Sequence, residues 1–161
     1  MWIDQATALL VKHEGLRLCP YKDSLGLATI GVGFFLGRPD ARTRLIQVGL
    51  NGLTPPIRLT VAQAYQLLDM DVADAIADLR TLLPDFDSLS DVRKCVLVDM
   101  RYQLGPHRLR GFTNFLAALK LGHFDTAAAE MLNSTWAHQT PVRAKENSDM
   151  LRTDDMNPKK A

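Results

Sequence analysis

The apolar residues of the chain keep two different rhythms, and these divide it. Trp2, Ile3, Ala6, Leu9 and Leu10 recur three and four apart, which puts them on one face of a short helix. Glu14-Gly15 supplies its stop, because glycine readily takes the left-handed backbone that ends many helices. Residues 16–36 change period. Leu16, Leu18 and Tyr21 lead into the turn-like Lys22-Asp23-Ser24, Gly26 follows, and Leu27 to Phe35 mixes glycine with β-branched and aromatic residues. This pattern predicts a three-stranded antiparallel hairpin sheet with tight turns. So small a ribbon is marginal alone and has to pack on helices.

Residues 37–58 are broken up by Pro39 and Pro55-Pro56, with a short helix expected near Asp40–Val48. Thr60 and Gln63 then read as a capping box. Val61, Ala64, Leu67, Leu68, Val72, Ala75, Ile76 and Leu79 make one face of the helix it opens, and Asp69, Asp71, Asp74 and Asp78 fall largely on the other. About twenty residues at 1.5 Å each give roughly 30 Å, long enough to join two lobes. Pro84 marks its end. Ser90 is placed to cap a helix over Asp91–Leu104, with Gly105-Pro106 as its terminator. Further helices are expected from Gly111-Phe112-Thr113-Asn114 through Leu119, over Thr126–Leu132 with Asp125 as cap, and from Thr140-Pro141. Asp154–Ala161 reads as a frayed polar tail.

The expected fold is therefore α+β and mostly helical, in one domain. Residues 1–58 would form the N-terminal helix and small lobe, 59–82 the inter-lobe helix, 83–155 a helical lobe and 156–161 the tail. A cleft is the natural product of such an arrangement.

Composition narrows the class. The 161 residues carry a formal net charge of +1, and 47% are hydrophobic. Charges of both signs are spread evenly over the two halves, which argues against a nucleic-acid partner held by bulk charge. The residues Met-Trp-Ile-Asp-Gln do not read as an export signal, and no apolar run approaches a membrane span. A protein made and kept in the cytoplasm, with no membrane insertion, is the expectation. Cys19 and Cys95 are read as two reduced thiols. His13, His107, His123 and His138 do not fall into a metal-ligand spacing, so neither metal nor cofactor is expected.

Three residues carry the candidate chemistry. Glu14 ends the first helix, Asp23 lies in the first turn of the sheet, and Thr29 lies on the next strand. Two carboxyl groups beside a groove suit glycoside hydrolysis, where one donates a proton to the leaving oxygen and the other prepares a water. A threonine hydroxyl can hold that same water. By itself the pair is weak. The chain has eighteen acidic residues, and a helix-end glutamate with an Asx-turn aspartate is an ordinary structural arrangement.

The surrounding string adds weight. His13-Glu14-Gly15-Leu16-Arg17-Leu18, Tyr21-Lys22-Asp23, Gly26 and Thr29-Ile30-Gly31-Val32-Gly33 resemble the phage-type lysozymes, the endolysins of glycoside hydrolase family 24. The spacings from Glu to Asp to Thr match that pattern. So do Leu59-Thr60, Val92-Arg93-Lys94-Cys95, Gln103-Leu104-Gly105, Gly111 to Asn114, and Trp136 with Gln139-Thr140-Pro141 and Arg143-Ala144. Residues 37–57 and the tail lack a counterpart.

The resemblance implies a lysozyme-like fold and a muramidase without cofactor. Glu14 would be the general acid, and Asp23 and Thr29 would place the attacking water, so that the β-1,4 bond between N-acetylmuramic acid and N-acetylglucosamine breaks with inversion. Arg143 would support the two carboxylates. Phe35, Tyr102, Gln103, Phe115 and Glu130 fall where the family contacts glycan, although Phe115 and Glu130 depart from its usual polar side chains. Phe34 stands where the family often has histidine, which would remove an ion pair between the sheet and the long helix. Asp99 stands where a neutral amide is common, and Arg101 or Arg143 would have to partner it. Arg101, Arg108 and Arg110 with His107 would make a local basic face. As an endolysin the protein would be a monomer acting on peptidoglycan strands, waiting in the host cytoplasm until a holin lets it reach the periplasm and wall. The rival readings are a lytic transglycosylase, a zinc amidase and a non-catalytic wall-binding module.

Overall fold

The computed structural model of the protein describes residues 1–158. It contains two compact units, one of Thr7–Ala73 and one of Met1–Ala6 with the chain from Asp74 onward. The chain passes from one to the other within α1 (Trp2–Glu14) and again within α3 (Val61–Leu82). No helix among the described residues is long and apolar enough to cross a membrane.

The smaller unit holds the sheet. Strands β1 (Arg17–Lys22), β2 (Ala28–Gly31) and β3 (Phe34–Phe35) pair antiparallel in that order. Tyr21 stands opposite Thr29, and Thr29 opposite Phe35, so these three share one face. Ile30 and Phe34 pack with Leu45 of α2 (Ala41–Gln47), with Leu59 just before α3 and with Leu67 within it. Each such side chain contributes about 1.5–3 kcal/mol by leaving water. That apolar contact supplies what the ribbon lacks alone.

The capping box forms as expected. The Thr60 amide donates to Gln63 Oε1 at 2.8 Å, and the Gln63 amide donates to Thr60 Oγ1 at 3.2 Å. Gln63 Nε2 also donates to the Val48 carbonyl at 2.9 Å, tying the end of α2 to the start of α3.

The segment that lacked a counterpart is pinned by charge. Arg38 donates to Asp40 at 2.6 Å and to Asp71 on α3 at 2.7 Å. Arg44 reaches the same two carboxylates at 2.7 and 3.2 Å. The Arg38 guanidinium also lies over the Phe34 ring, 5.0 Å from its centre. An ion pair to the long helix thus exists despite Phe34, supplied by arginines before and within α2. Asp40 precedes α2 but makes no side-chain cap bond, because both its oxygens are taken by arginines.

The helical unit comprises α4 (Asp91–Arg110), α5 (Thr113–Lys120), α6 (Phe124–Leu132), α7 (Thr135–Gln139) and α8 (Pro141–Thr153). Ser90 caps α4 through its bond from the Arg93 amide at 3.3 Å. Several boundaries differ from expectation. The break expected after Leu104 is present, but the helix resumes beyond it. Gly105 interrupts it with φ 74° and ψ 166°, and Pro106 opens a further turn to Arg110. Proline suits a first helical position, since its missing N–H has no partner to lose there. Helix α6 starts at Phe124, so Asp125 lies inside the first turn rather than capping it. Helix α7 was not foreseen; Ser134 caps it, accepting from the Ala137 amide at 3.1 Å. The start of the tail is not frayed. Asp154 takes a left-handed conformation, accepts from Ser90 Oγ and pairs with Arg93 at 3.4 Å. The last three residues of the expected tail lie outside the described residues.

Both cysteines are free, Cys19 exposed and Cys95 buried. Burial pushes the Cys95 thiol up to about 12, and it donates to the Trp2 carbonyl at 3.3 Å.

The Asp40 contacts have a consequence for pH. Burial by itself would raise the Asp40 carboxyl, but hydrogen bonds and charge from Arg38, then Arg44, outweigh it and hold the group below 3.8. A carboxyl lowered on folding stabilises the protein fully well above its unfolded value, and that contribution is lost as the pH falls below it. Asp40→Asn should therefore lower the urea midpoint at neutral pH and flatten its decline in acid. An acid limb as steep as the wild type's would contradict the role given to this carboxylate.

Candidate active site

Glu14 is the last residue of α1 and is partly buried. Its carboxyl lies close against the turn between β2 and β3. A methyl carbon at position 33 would stand 3.1 Å from Glu14 Oε2 and 3.2 Å from its Cδ and Cγ. Gly33 also has φ 70°, in the region that side chains disfavour. The second glycine of Gly31-Val32-Gly33 thus serves two ends. It lets the strand turn, and it leaves room for the Glu14 carboxyl against bare backbone.

Asp23 follows β1 and closes the hairpin turn. Its Oδ1 accepts the amides of Leu25 at 2.9 Å and Leu27 at 2.8 Å, while its own amide donates to the Leu27 carbonyl at 3.0 Å. This is the Asx turn anticipated from Lys22-Asp23-Ser24, and it fixes one carboxylate oxygen. Among the described residues Oδ2 has no protein donor. Thr29 is 4% exposed, and its hydroxyl donates to the Leu27 carbonyl at 3.2 Å. The hydrogen is committed, so the oxygen's lone pairs are what it can offer.

One side chain connects these groups. Tyr21 lies across the sheet from Thr29, with the Arg17 guanidinium 4.6 Å from its ring centre. Its phenol is held above the usual value first by burial, then by the negative charge of Glu14 and, more weakly, that of Asp23, against the opposing charge of Arg17. Both carboxylates therefore lie within electrostatic reach of a single ring. Phe35 continues the row on β3, partly exposed, with its ring lying over Gly37.

The remaining candidates lie in the helical unit. Arg143 is buried and gives a bidentate fork to Asp99, Nε to Oδ2 at 2.9 Å and a terminal nitrogen to Oδ1 at 2.8 Å. Asn147 Nδ2 adds a bond to Asp99 Oδ2 at 2.6 Å. Of the two partners considered for Asp99, Arg143 is the one found, while Arg101 pairs with Asp78 at 2.8 Å and so leaves the expected basic face. Gln103 Oε1 accepts from Trp136 Nε1 at 2.7 Å. Glu130 accepts from Asn114 at 3.4 Å, and Tyr102 is partly buried. Phe115 is more buried than a cleft-edge residue was expected to be: it is 1% exposed and packs edge-on to Phe112 at 6.2 Å, in the wall of a hollow of this unit.

In the sequence Tyr21 and Gly33 lie within the motif without marking a role for either. The available signal was a glycine inside a strand pattern, which marks a close backbone approach.

The chain is similar to known proteins over most of its length. Residues 11–149 match the family model for phage lysozyme, and the chain belongs to that family of hydrolases. It is 29% identical to probable T4-type lysozyme 1 of Dictyostelium discoideum, over 92% of this chain and 94% of that protein. It is 28% identical to the pre-baseplate central spike protein Gp5 of Enterobacteria phage T4, over 90% of this chain but 27% of that protein. A third relative is peptidoglycan hydrolase gp36 of Enterobacteria phage SP6, 27% identical over 71% of this chain and 12% of that protein.

The packing of Glu14 against Gly33 is open to a direct comparison. Gly15 has a similar φ of 74°, but a methyl carbon there meets nothing within 4 Å. Both alanine substitutions incur the left-handed penalty of about 1–2 kcal/mol. Only Gly33→Ala adds a collision, and crowding of that kind costs about 1–3 kcal/mol more. Urea denaturation should thus rank Gly33→Ala clearly below Gly15→Ala. Equal losses would mean that Glu14 moves aside freely.

Proposed function

We propose that this protein is a muramidase that hydrolyses the β-1,4 bond between N-acetylmuramic acid and N-acetylglucosamine in bacterial peptidoglycan, with inversion. Membership of the phage lysozyme family supports the reading, as does a relative that carries the name peptidoglycan hydrolase. The observation that carries it is the division of labour within one small unit. The Glu14 carboxyl is braced against the Gly33 turn, while Asp23 has one oxygen tied to two amides and the other left open.

In the proposed mechanism Glu14 gives its proton to the glycosidic oxygen as the bond to the anomeric carbon breaks. A water attacks that carbon from the opposite face. Asp23 Oδ2 takes one proton of this water, and the Thr29 oxygen accepts a hydrogen bond from the other. Because the Thr29 hydrogen is held by the Leu27 carbonyl, the hydroxyl acts there as an acceptor. The proton later passes from Asp23 to solvent, and Glu14 is reprotonated. Two carboxyl groups acting on opposite sides of the sugar produce inversion in a single displacement.

We assign Phe35, Tyr102, Gln103 and Glu130 to contact with glycan and Arg143 to a supporting role. We also propose that the enzyme acts as a monomeric endolysin, held in the host cytoplasm until a holin opens the way to the wall. A lytic transglycosylase would cut the same bond without water, and the site's water-placing pair Asp23 and Thr29 has no part in such a reaction.

Glu14→Gln should fold normally and lose about 10²–10⁴ of the rate on purified peptidoglycan, the usual worth of a general acid. The wild-type digest should contain free reducing muramic acid ends. Near-normal clearing by Glu14→Gln would remove the acid role from that residue, and anhydro-muramyl ends would favour the transglycosylase.

A further inference from the structure

Gly37 differs from most glycines of the chain. Eight of the ten have a positive φ, the conformation that favours glycine, and Gly37 does not. Its backbone therefore does not call for a bare residue. What occupies the place of a side chain there is the Phe35 ring. A methyl carbon at position 37 would overlap Phe35 Cζ and stand 2.9 Å from Cε2 and 3.1 Å from Cε1. The tip of the ring thus rests on the backbone of Gly37.

This seat is fixed on both sides. The Leu36 amide donates to the Ala28 carbonyl of β2 at 2.8 Å, and the Leu36 side chain packs on the core that holds Ile30 and Phe34. The Arg38 amide donates to the Phe35 carbonyl at 3.4 Å, closing the turn that contains Gly37. The Arg38 guanidinium is tied in turn to Asp40 and to Asp71 of α3. With its two neighbours held, a collision at position 37 displaces the ring, which is 37% exposed and has room to move. The register of the β2–β3 pair sets Phe35 opposite Thr29. Register fixes where the side chain starts, and Gly37 fixes where its tip lies.

We propose that Gly37 is a positioning residue for glycan binding: it seats the Phe35 ring in one orientation before the sugar arrives. The inference rests on the assignment of Phe35 to glycan contact made above. An aromatic ring packs on the C–H face of a pyranose, and such a contact depends on the direction of the ring. An exposed ring that turns freely has to be immobilised on binding, which weakens affinity. A seated ring has lost that freedom already, on folding. Gly37 then sets affinity without touching the sugar or the reacting atoms.

The test is steady-state kinetics of the full chain on a soluble peptidoglycan fragment, with Phe35→Ala, Gly37→Ala and the double variant. Gly37→Ala should raise KM about three- to tenfold, the effect of one unfixed side chain, and leave kcat within about twofold of the wild type. Phe35→Ala should raise KM at least as much. Adding Gly37→Ala to it should change nothing further, because the ring that the methyl group would strike is gone. NMR reads the seat itself: the Gly37 α-protons should carry a ring-current shift that Phe35→Ala removes. Unchanged KM in Gly37→Ala, full additivity in the double variant, or a loss confined to kcat and the urea midpoint would overturn the proposal and leave the hydrolase reading standing. A normal KM in Phe35→Ala would remove the glycan contact of that ring and this inference with it. No digestion by the wild type refutes both this inference and the hydrolase reading.

Discussion

The Glu14 carboxyl sits where a helix ends against a strand turn, and the turn has no side chain at the point of contact. Much of the smaller unit follows from that constraint. The backbone at Gly33 has a positive φ where β2 reverses into β3, and a side chain there would crowd the Glu14 carboxyl and oblige it to give way. The reversal brings Phe34 back into the core beside Ile30 and Leu45, and sets Phe35 opposite Thr29. The site and the packing of the ribbon therefore share a cause. A residue with a side chain at 33 would disturb both at once.

Charge then holds what apolar packing alone leaves loose. Short elements such as α2 bury few side chains, and Ala41 and Leu45 are the buried positions it contributes. The Arg38, Arg44, Asp40 and Asp71 network spans the poorly patterned segment and anchors it to α3. The helical unit uses the same device internally, where Asp99 receives the Arg143 fork and the Asn147 amide. Removing one partner from such a buried group costs about 3–5 kcal/mol, because the charges it leaves behind lose their compensation. These networks define geometry as much as they add stability. Arg143 is given one direction, and α4 and α8 one mutual position within their unit.

Periodicity made most of this fold legible. The long helix, its Thr60 and Gln63 cap, the three short strands and the Ser90 cap all follow from local patterns that a chain expresses over a few residues. What escaped is of two kinds. Helix α7 has five residues, a single turn, too short for an apolar stripe to repeat. The restart after Gly105 escaped because a Gly-Pro pair reads as an end, although proline serves equally as a beginning. Long-range pairing is the other kind. Arg38 lies 33 positions from Asp71, and Arg143 lies 44 from Asp99, so no local rhythm connects them. The candidate site was legible as a string of residues with the right spacings. That string gave no hint that Phe115 would be so buried, because an aromatic at a cleft edge and one in a core look alike in one dimension. The place of Tyr21 among the charges likewise needed coordinates.

The division between Glu14 and Asp23 is the centre of the account. One carboxyl is braced against backbone, and the other is half tied and half open, beside a hydroxyl whose hydrogen is already spent. On the proposed reading such a pair uses a water in one displacement. Early-time NMR of the sugar released from a soluble peptidoglycan fragment reads that stereochemistry before the anomers equilibrate. The account predicts that the new reducing end appears first as the α-anomer. Initial release of the β-anomer would mean a covalent intermediate and would contradict the roles assigned to Asp23 and Thr29.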